Sequence, residues 1–293
     1  MRICSIVLCL LLLTGCSKLT AVRNQPEYTV SVVLKALNSH YWLDMRSGMQ
    51  QAAEELEIDL RLLYPSGELE NEEQKALLED ALQADTDLLL FAPCDSYDTQ
   101  WVAARAQAEQ IPVLTVDTRA LDAYFPYIGS DNEQIGHLAA DYLSDNLQPG
   151  TSVVVMAGSD RQASHIDRIQ ALQDALDPSI TITAIVYTDM TQFAGYQTMK
   201  QMADQSFDAV FCANSVIGLG VATGLAETGR DIPVIAVDTQ MDALQALQDG
   251  AMDALLSQDG YEIGYQAICT AVQTLRTGEL PEDIQFTSEL LEN

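Results

Sequence analysis

Ile111-Pro-Val-Leu-Thr-Val-Asp-Thr118 returns as Ile232-Pro-Val-Ile-Ala-Val-Asp-Thr239, 121 residues further along the chain. The same spacing carries Asp87-Leu-Leu-Leu-Phe-Ala92 onto Asp208-Ala-Val-Phe-Cys-Ala213, and Ser31-Val-Val-Leu34 onto Ser152-Val-Val-Val155. One such match can arise by chance; three in a single register mark an internal duplication. Each run is short, continuous and rich in β-branched residues, without polar alternation. That is the pattern of a parallel strand buried on both faces. Helical stripes lie between the runs. Tyr41, Met45, Met49, Ala52 and Leu56 form one, Ile135, Leu138, Ala139, Tyr142 and Leu143 a second, and Ala163, Ile166, Ile169, Leu172 and Leu176 a third. Strand–helix alternation predicts a parallel sheet covered on both sides, and the duplication predicts two of them. The expected class is α/β with two lobes, one starting near Tyr28 and the other near Asp131.

The 293 residues suffice for two separate cores, and 48% hydrophobic content predicts packed lobes rather than disorder. A formal charge of −29 opposes nucleic acids, anionic headgroups and polyanionic ligands. No G-x-S-x-G, Walker loop or H-E-x-x-H is present, so no enzyme is expected. Gly218-Leu-Gly220-Val-Ala-Thr-Gly224 places its third glycine one residue too late for a dinucleotide fingerprint; a close helix contact is expected instead. His40, His137 and His165 lack ligand-like spacing and are expected at helix surfaces or starts. No metal and no cofactor is predicted.

The N-terminus reads as a targeting segment. Met1-Arg2 is a minimal basic start, and the apolar run Ile3 to Leu13 is too short to span a bilayer. Leu13-Thr14-Gly15-Cys16 resembles the lipobox of bacterial lipoproteins, which implies a signal peptide over 1–15, lipid on Cys16 and a polar tether over 16–27. A short anchor helix or an ordinary signal peptide are the other readings. The expected location is extracytoplasmic, anchored to the cell membrane. Cys94, Cys212 and Cys269 then remain, an odd number without metal spacing, and buried free thiols are expected.

Ligands of open parallel α/β sheets sit beyond the carboxyl ends of the strands. Those ends carry Asn38-Ser-His-Tyr41-Trp42, Ala92-Pro-Cys-Asp95 and Asp117-Thr118 in the first half. In the second they carry Gly158-Ser-Asp160, Tyr187 to Met190, Asn214-Ser215, Asp238-Thr239 and Gln258. Facing each other, they would line a cleft. Aromatic rings suit the C–H face of a sugar, and Asp, Asn, Gln and Arg suit its hydroxyl rim. A small neutral sugar or polyol is therefore the expected ligand. Other roles stay open for single residues. Asp117 and Asp238 could cap helices, Asn214 could order a turn, Tyr41 and Trp42 could be core, Arg168 could be a solvated residue, and Gln258 could be ordinary loop.

At Asn38-x-x-Tyr41-Trp42, Val116-Asp117, Ile128-Gly-Ser-Asp-Asn132, Asn214, Val237-Asp238 and Gln258 with Gly264-Tyr265, the chain resembles the type 1 periplasmic binding proteins. Within them it looks like the ribose-binding-like sugar receptors of ABC importers. The resemblance spans about Tyr28 to Gly278 and implies two flavodoxin-like lobes joined by a three-crossing hinge that closes on ligand. It puts the crossings at Ser130-Asp131, Gln258-Asp259 and near Pro281. The first lobe would then hold 28–130 with 259–281, and the second 131–258 with 282–293. It implies that Tyr41 and Trp42 stack on the ligand and that Asn38, Asp117, Arg168, Asn214, Asp238 and Gln258 bind its hydroxyls, with Met190 at the aromatic position of the second lobe. Ala92, Met190 and Ser215 depart from the ribose receptors' pattern, which points to another monosaccharide, an inositol-like polyol or a sugar-derived signal. The implied partner is an ABC permease or, alternatively, a membrane kinase or chemoreceptor acting as a sensor. A monomer is expected. A transcription regulator of the same fold is disfavoured by the acidic charge and the missing DNA-binding helix pair.

Overall fold

The three duplicated runs fold as equivalent strands of two sheets. The structure, a computed structural model, describes residues 26–293, so the signal segment 1–15, Cys16 and most of the tether lie outside the described residues. The first half runs β1 (Thr29–Val33), α1 (His40–Glu55), β2 (Asp59–Leu63), α2 (Asn71–Gln83), β3 (Leu88–Phe91), α3 (Gln100–Glu109), β4 (Val113–Val116) and β5 (Tyr127–Ser130). The second repeats the plan as α4 (Asn132–Asn146), β6 (Ser152–Ala157), α5 (Ala163–Ala175), β7 (Thr181–Tyr187), α6 (Gln192–Gln201), β8 (Ala209–Cys212), α7 (Ser215–Thr228), β9 (Val234–Val237), α8 (Met241–Gln248) and β10 (Ala254–Leu256). α9 (Gly260–Thr277), β11 (Ile284–Phe286) and β12 (Leu290–Glu292) close the chain. The strand orders are β11-β5-β4-β3-β1-β2 and β12-β10-β9-β8-β6-β7, the doubly wound α/β arrangement twice over.

The inner strands of each sheet are buried on both faces, which is why they lack polar alternation, whereas the edge strands β2 and β7 are partly exposed. Val30, Val32 and Leu34 join the core beneath α1 and α9, whereas Val33, Leu89 and Phe91 join the core beneath α2 and α3. In the second lobe Val153 and Val155 face α4 and α5, and Val154 and Met156 face the α6–α7 side. After the second crossing α9 returns to the first lobe and lies along α1. Gly48 and Gly264 permit this approach: a Cβ at either would collide with the carbonyl of Tyr261 or of Met45 respectively.

The third crossing differs from expectation. β11 pairs in parallel with β5 at the edge of the first sheet, and β12 pairs antiparallel with β10 in the second. Residues 282–286 thus belong with the first lobe, and the chain crosses between Phe286 and Leu290 rather than near Pro281. The physical reason is that β5 and β10 each leave an edge of unpaired backbone groups, and two three-residue strands from the C-terminus satisfy one edge apiece. Cys94 and Cys212 are buried free thiols, and Cys269 is free and half-buried.

Candidate functional site

The repeated Val-Asp-Thr turn builds both walls of the interlobe cleft. Asp117 and Asp238 directly follow β4 and β9 with positive φ, 63° and 86°, a region that non-glycine residues seldom occupy. Each backbone N–H still reaches the next strand, Asp117 to Ile128 O at 2.9 Å and Asp238 to Leu256 O at 2.8 Å. Backbone strain of about 1–3 kcal/mol at each turn thus accompanies a buried carboxylate beside the cleft. Neither aspartate is a helix N-cap; Gln240 holds that place for α8.

The cleft holds about 380 Å³, counting the part open to solvent, and is lined from both lobes. The first lobe supplies Lys35, Ser39, Tyr41, Trp42, Glu68 and Asp117; the second supplies Ser164, His165, Arg168, Asn214, Val216, Asp238 and Gln258. Seven of the expected residues, Tyr41, Trp42, Asp117, Arg168, Asn214, Asp238 and Gln258, therefore meet at one place.

Two do not. Asn38 is exposed and outside the lining, where its neighbour Ser39, the N-cap of α1, takes the position. Met190 is buried in the second-lobe core, packed where Gly158 has no side chain, because an apolar thioether is more stable there than at a polar cleft wall. Lys35, Ser39, Glu68, Ser164, His165 and Val216 went unpredicted. Lys35 had a signal: it is a lone charge interrupting the apolar run Ser31 to Ala36. Ser164 and His165 lie one turn before Arg168 on the same helix face, so all three are buried together. His165 thus sits at a helix start, in the first turn of α5, and is buried in the cleft wall. Glu68 lies in a loop without periodicity and had no local signal.

On the first wall Lys35 Nζ donates to Asp117 Oδ2 at 3.0 Å, Thr118 Oγ1 at 2.9 Å and Gln162 Oε1 at 3.2 Å. It also lies 5.4 Å from the Trp42 ring centroid. Tyr41 O–H donates to Asp117 Oδ1 at 2.7 Å, and Thr118 O–H donates to Oδ2 at 2.7 Å. Burial pushes the Asp117 carboxyl up, but Lys35 and these hydrogen bonds outweigh it and hold the group below the usual carboxylate range.

On the second wall Arg168 donates from Nε to Asn132 Oδ1 at 2.8 Å, from Nη1 to Ala213 O at 2.7 Å and from Nη2 to Gln258 Oε1 at 2.6 Å. Gln258 passes the bond on, Nε2 donating to Asp238 Oδ1 at 2.5 Å. Burial raises the Asp238 carboxyl, and the pull of Arg168 does not restore it. Burial first, then the neighbouring Arg168 and Lys35 charges, push His165 well below the usual histidine range, so its imidazole is neutral. Its Nδ1 accepts from Ser159 N–H at 3.3 Å. Asn214 caps α7, its Oδ1 accepting from Ile217 N–H at 2.9 Å, while its amide borders the cleft.

A polar seam joins the lobes beside the cleft. Gln162, which accepts from Lys35, donates from Nε2 to Glu68 O at 2.9 Å. Ser96 N–H donates to Arg161 O at 2.8 Å, Arg161 Nε meets Asp95 at 2.6 Å, and Arg119 grips Asp167 with two bonds of 2.9 and 2.8 Å. On the second lobe they come from Arg161 and Gln162, just before α5, and from Asp167 in its N-terminal half.

Two repeated α/β lobes that close a polar and aromatic cleft at their strand ends define a solute receptor, and the comparisons agree. The family described as periplasmic binding protein domain matches residues 30–280, and this chain belongs to it, as a type 1 periplasmic binding protein of the sugar-receptor kind. The ribose import binding protein of Bacillus subtilis is 26% identical over 97% of this chain and 96% of its own length. The D-allose-binding periplasmic protein of Escherichia coli is 24% identical over 92% of this chain and 90% of its own. The periplasmic component of an ABC-type sugar transport system from Hahella chejuensis superposes with a TM-score of 0.86 at 25% identity, over 90% of this chain and all of that one. Membership places the chain among extracytoplasmic sugar-binding solute receptors.

Proposed function

We propose that this protein, anchored through a lipidated Cys16, captures a small sugar or polyol between its two lobes and delivers it to an ABC importer. It binds the solute without reacting on it. The observation that carries this reading is the pair of buried aspartates at equivalent strand ends, facing one cleft with Tyr41 and Trp42 beside them. Hydroxyl donors of a sugar match the carboxylates, amides and serines of the wall, and the indole offers an apolar face. The ribose-binding and D-allose-binding relatives support the ligand class. Lobe closure removes competing water, so each unmatched polar group costs about 1–3 kcal/mol and confers selectivity.

The test is titration calorimetry and thermal unfolding against a panel of monosaccharides and polyols. A ligand at 100 times its dissociation constant stabilises the fold by about 2.7 kcal/mol. If no member of the panel binds the folded protein, this reading is wrong.

A further inference from the structure

The charges around the cleft do not balance, and the imbalance has a direction. Two cations, Lys35 and Arg168, face three carboxylates, Glu68, Asp117 and Asp238. His165, the one imidazole of the wall, is neutral. Both cations are already committed to protein oxygens. The three protons of the Lys35 ammonium have three acceptors, Asp117, Thr118 and Gln162, and each nitrogen of Arg168 has a bonded partner, which engages three of its five N–H groups. Both oxygens of Asp117 are engaged, by Tyr41 on one and by Lys35 and Thr118 on the other.

Glu68 is different. Its side chain is 12% exposed, and the nearest cation, Lys35, stands 3.9 Å from Oε2, beyond hydrogen-bond length. Burial raises its carboxyl, and the opposing pulls of Lys35 and the Trp42 side chain leave it raised. A lining carboxylate short of countercharge repels an acidic solute brought beside it. With a neutral solute, closure buries a carboxyl that either stays charged without a close cation or takes up a proton at a cost. A cationic substituent on the solute removes that cost and makes a charge-assisted hydrogen bond.

We infer that the solute is an amino-substituted sugar or polyol whose ammonium group meets Glu68. The inference rests on the reading of the cleft as a sugar site and narrows its substrate class. The Trp42 ring beside the same carboxylate adds a face that attracts cations as well as C–H groups.

Calorimetry on the full chain tests it with matched sets: D-glucose, D-galactose, D-mannose and myo-inositol, each beside amino-deoxy counterparts carrying the amine at different carbons, and beside the hexuronates. At least one amine is expected to bind tenfold or more tightly than its neutral parent, and the hexuronates more weakly than either. Glu68→Gln is expected to shrink that amine-to-neutral ratio at least fivefold, and thermal unfolding of the variant reports that the lobes remain folded. A neutral sugar that binds as tightly as every amine overturns the inference and leaves the sugar-site reading standing. A preference for amines that survives Glu68→Gln overturns the role of Glu68. No binding by any member overturns both readings.

Discussion

Asp117 and Asp238 occupy the same place in a duplicated motif, share a positive φ, and are both buried, yet their surroundings have diverged. Asp117 faces an ammonium and two hydroxyls and is held ionised. Asp238 faces a neutral amide, with its nearest guanidinium one residue removed through Gln258, and its carboxyl is raised. Duplication preserved the backbone turn that aims a carboxylate at the cleft. The charge state of each carboxylate was left to whichever residues the other strand ends supply. Lys35 after β1 and Gln258 after β10 make the difference.

The largest expected effects come from breaking the first wall. Lys35→Met strands Asp117 as a buried charge, and stability to denaturant is expected to fall by about 3–5 kcal/mol. Gln258→Met, on the second wall, removes an uncharged link, and a loss of about 1–3 kcal/mol is expected. Equal losses would erase the contrast. Trp42→Ala belongs with the first group. Trp42 is 2% exposed within the first-lobe core, so truncation is expected to cost about 3–5 kcal/mol of stability as well as ligand affinity.

The two aspartates should also respond oppositely to pH. Asp117 is lowered in the fold, so its contribution is present above the ordinary carboxylate value, about 3.9, and is lost as pH falls through its lowered value. Asp238 is raised, so its ionisation weakens the fold progressively as pH rises through that value toward its raised one. Urea unfolding between acid and neutral pH is expected to show Asp117→Asn losing most against the parent at neutral pH. Asp238→Asn should instead gain on the parent as pH rises. Parallel curves for the two variants would show that the walls titrate alike.

Smaller effects sharpen the boundary of the site. Ser39→Ala is expected to weaken ligand binding by about 0.5–1.5 kcal/mol, whereas Asn38→Ala leaves it unchanged; calorimetry with any ligand of the panel decides. Smallest is the seam. Arg119 is 43% exposed against 14% for Asp167, and a double-mutant cycle is expected to give a coupling of about 1 kcal/mol or less, falling with added salt.

The lobes were legible because burial on both faces forces continuous apolar runs, and duplication repeats them at one spacing. β11 and β12 carry no such run: each has three residues and exposed positions on a sheet edge, so the third crossing was misplaced. In the cleft, residues at strand ends were readable from position alone, as with Asp117, Asn214, Asp238 and Gln258. Arg168 was readable only through the family resemblance. Its burial depends on a second, polar face of α5 that apolar periodicity does not mark. Glu68 was invisible because its placement follows from the path of the loop between β2 and α2, which no local pattern encodes. Met190 was misassigned because a match of position does not make a thioether prefer a wet wall over a dry core.

The last crossing has a mechanical meaning. Only residues 287–289 separate β11 in one sheet from β12 in the other. Even fully stretched, that connection spans about 14 Å, so it acts as a short leash between the bodies. The lobes can tilt apart by an angle but cannot drift away from each other. With Asp131 and residues 257–259, the two other short crossings, the leash limits the gape through which a solute enters.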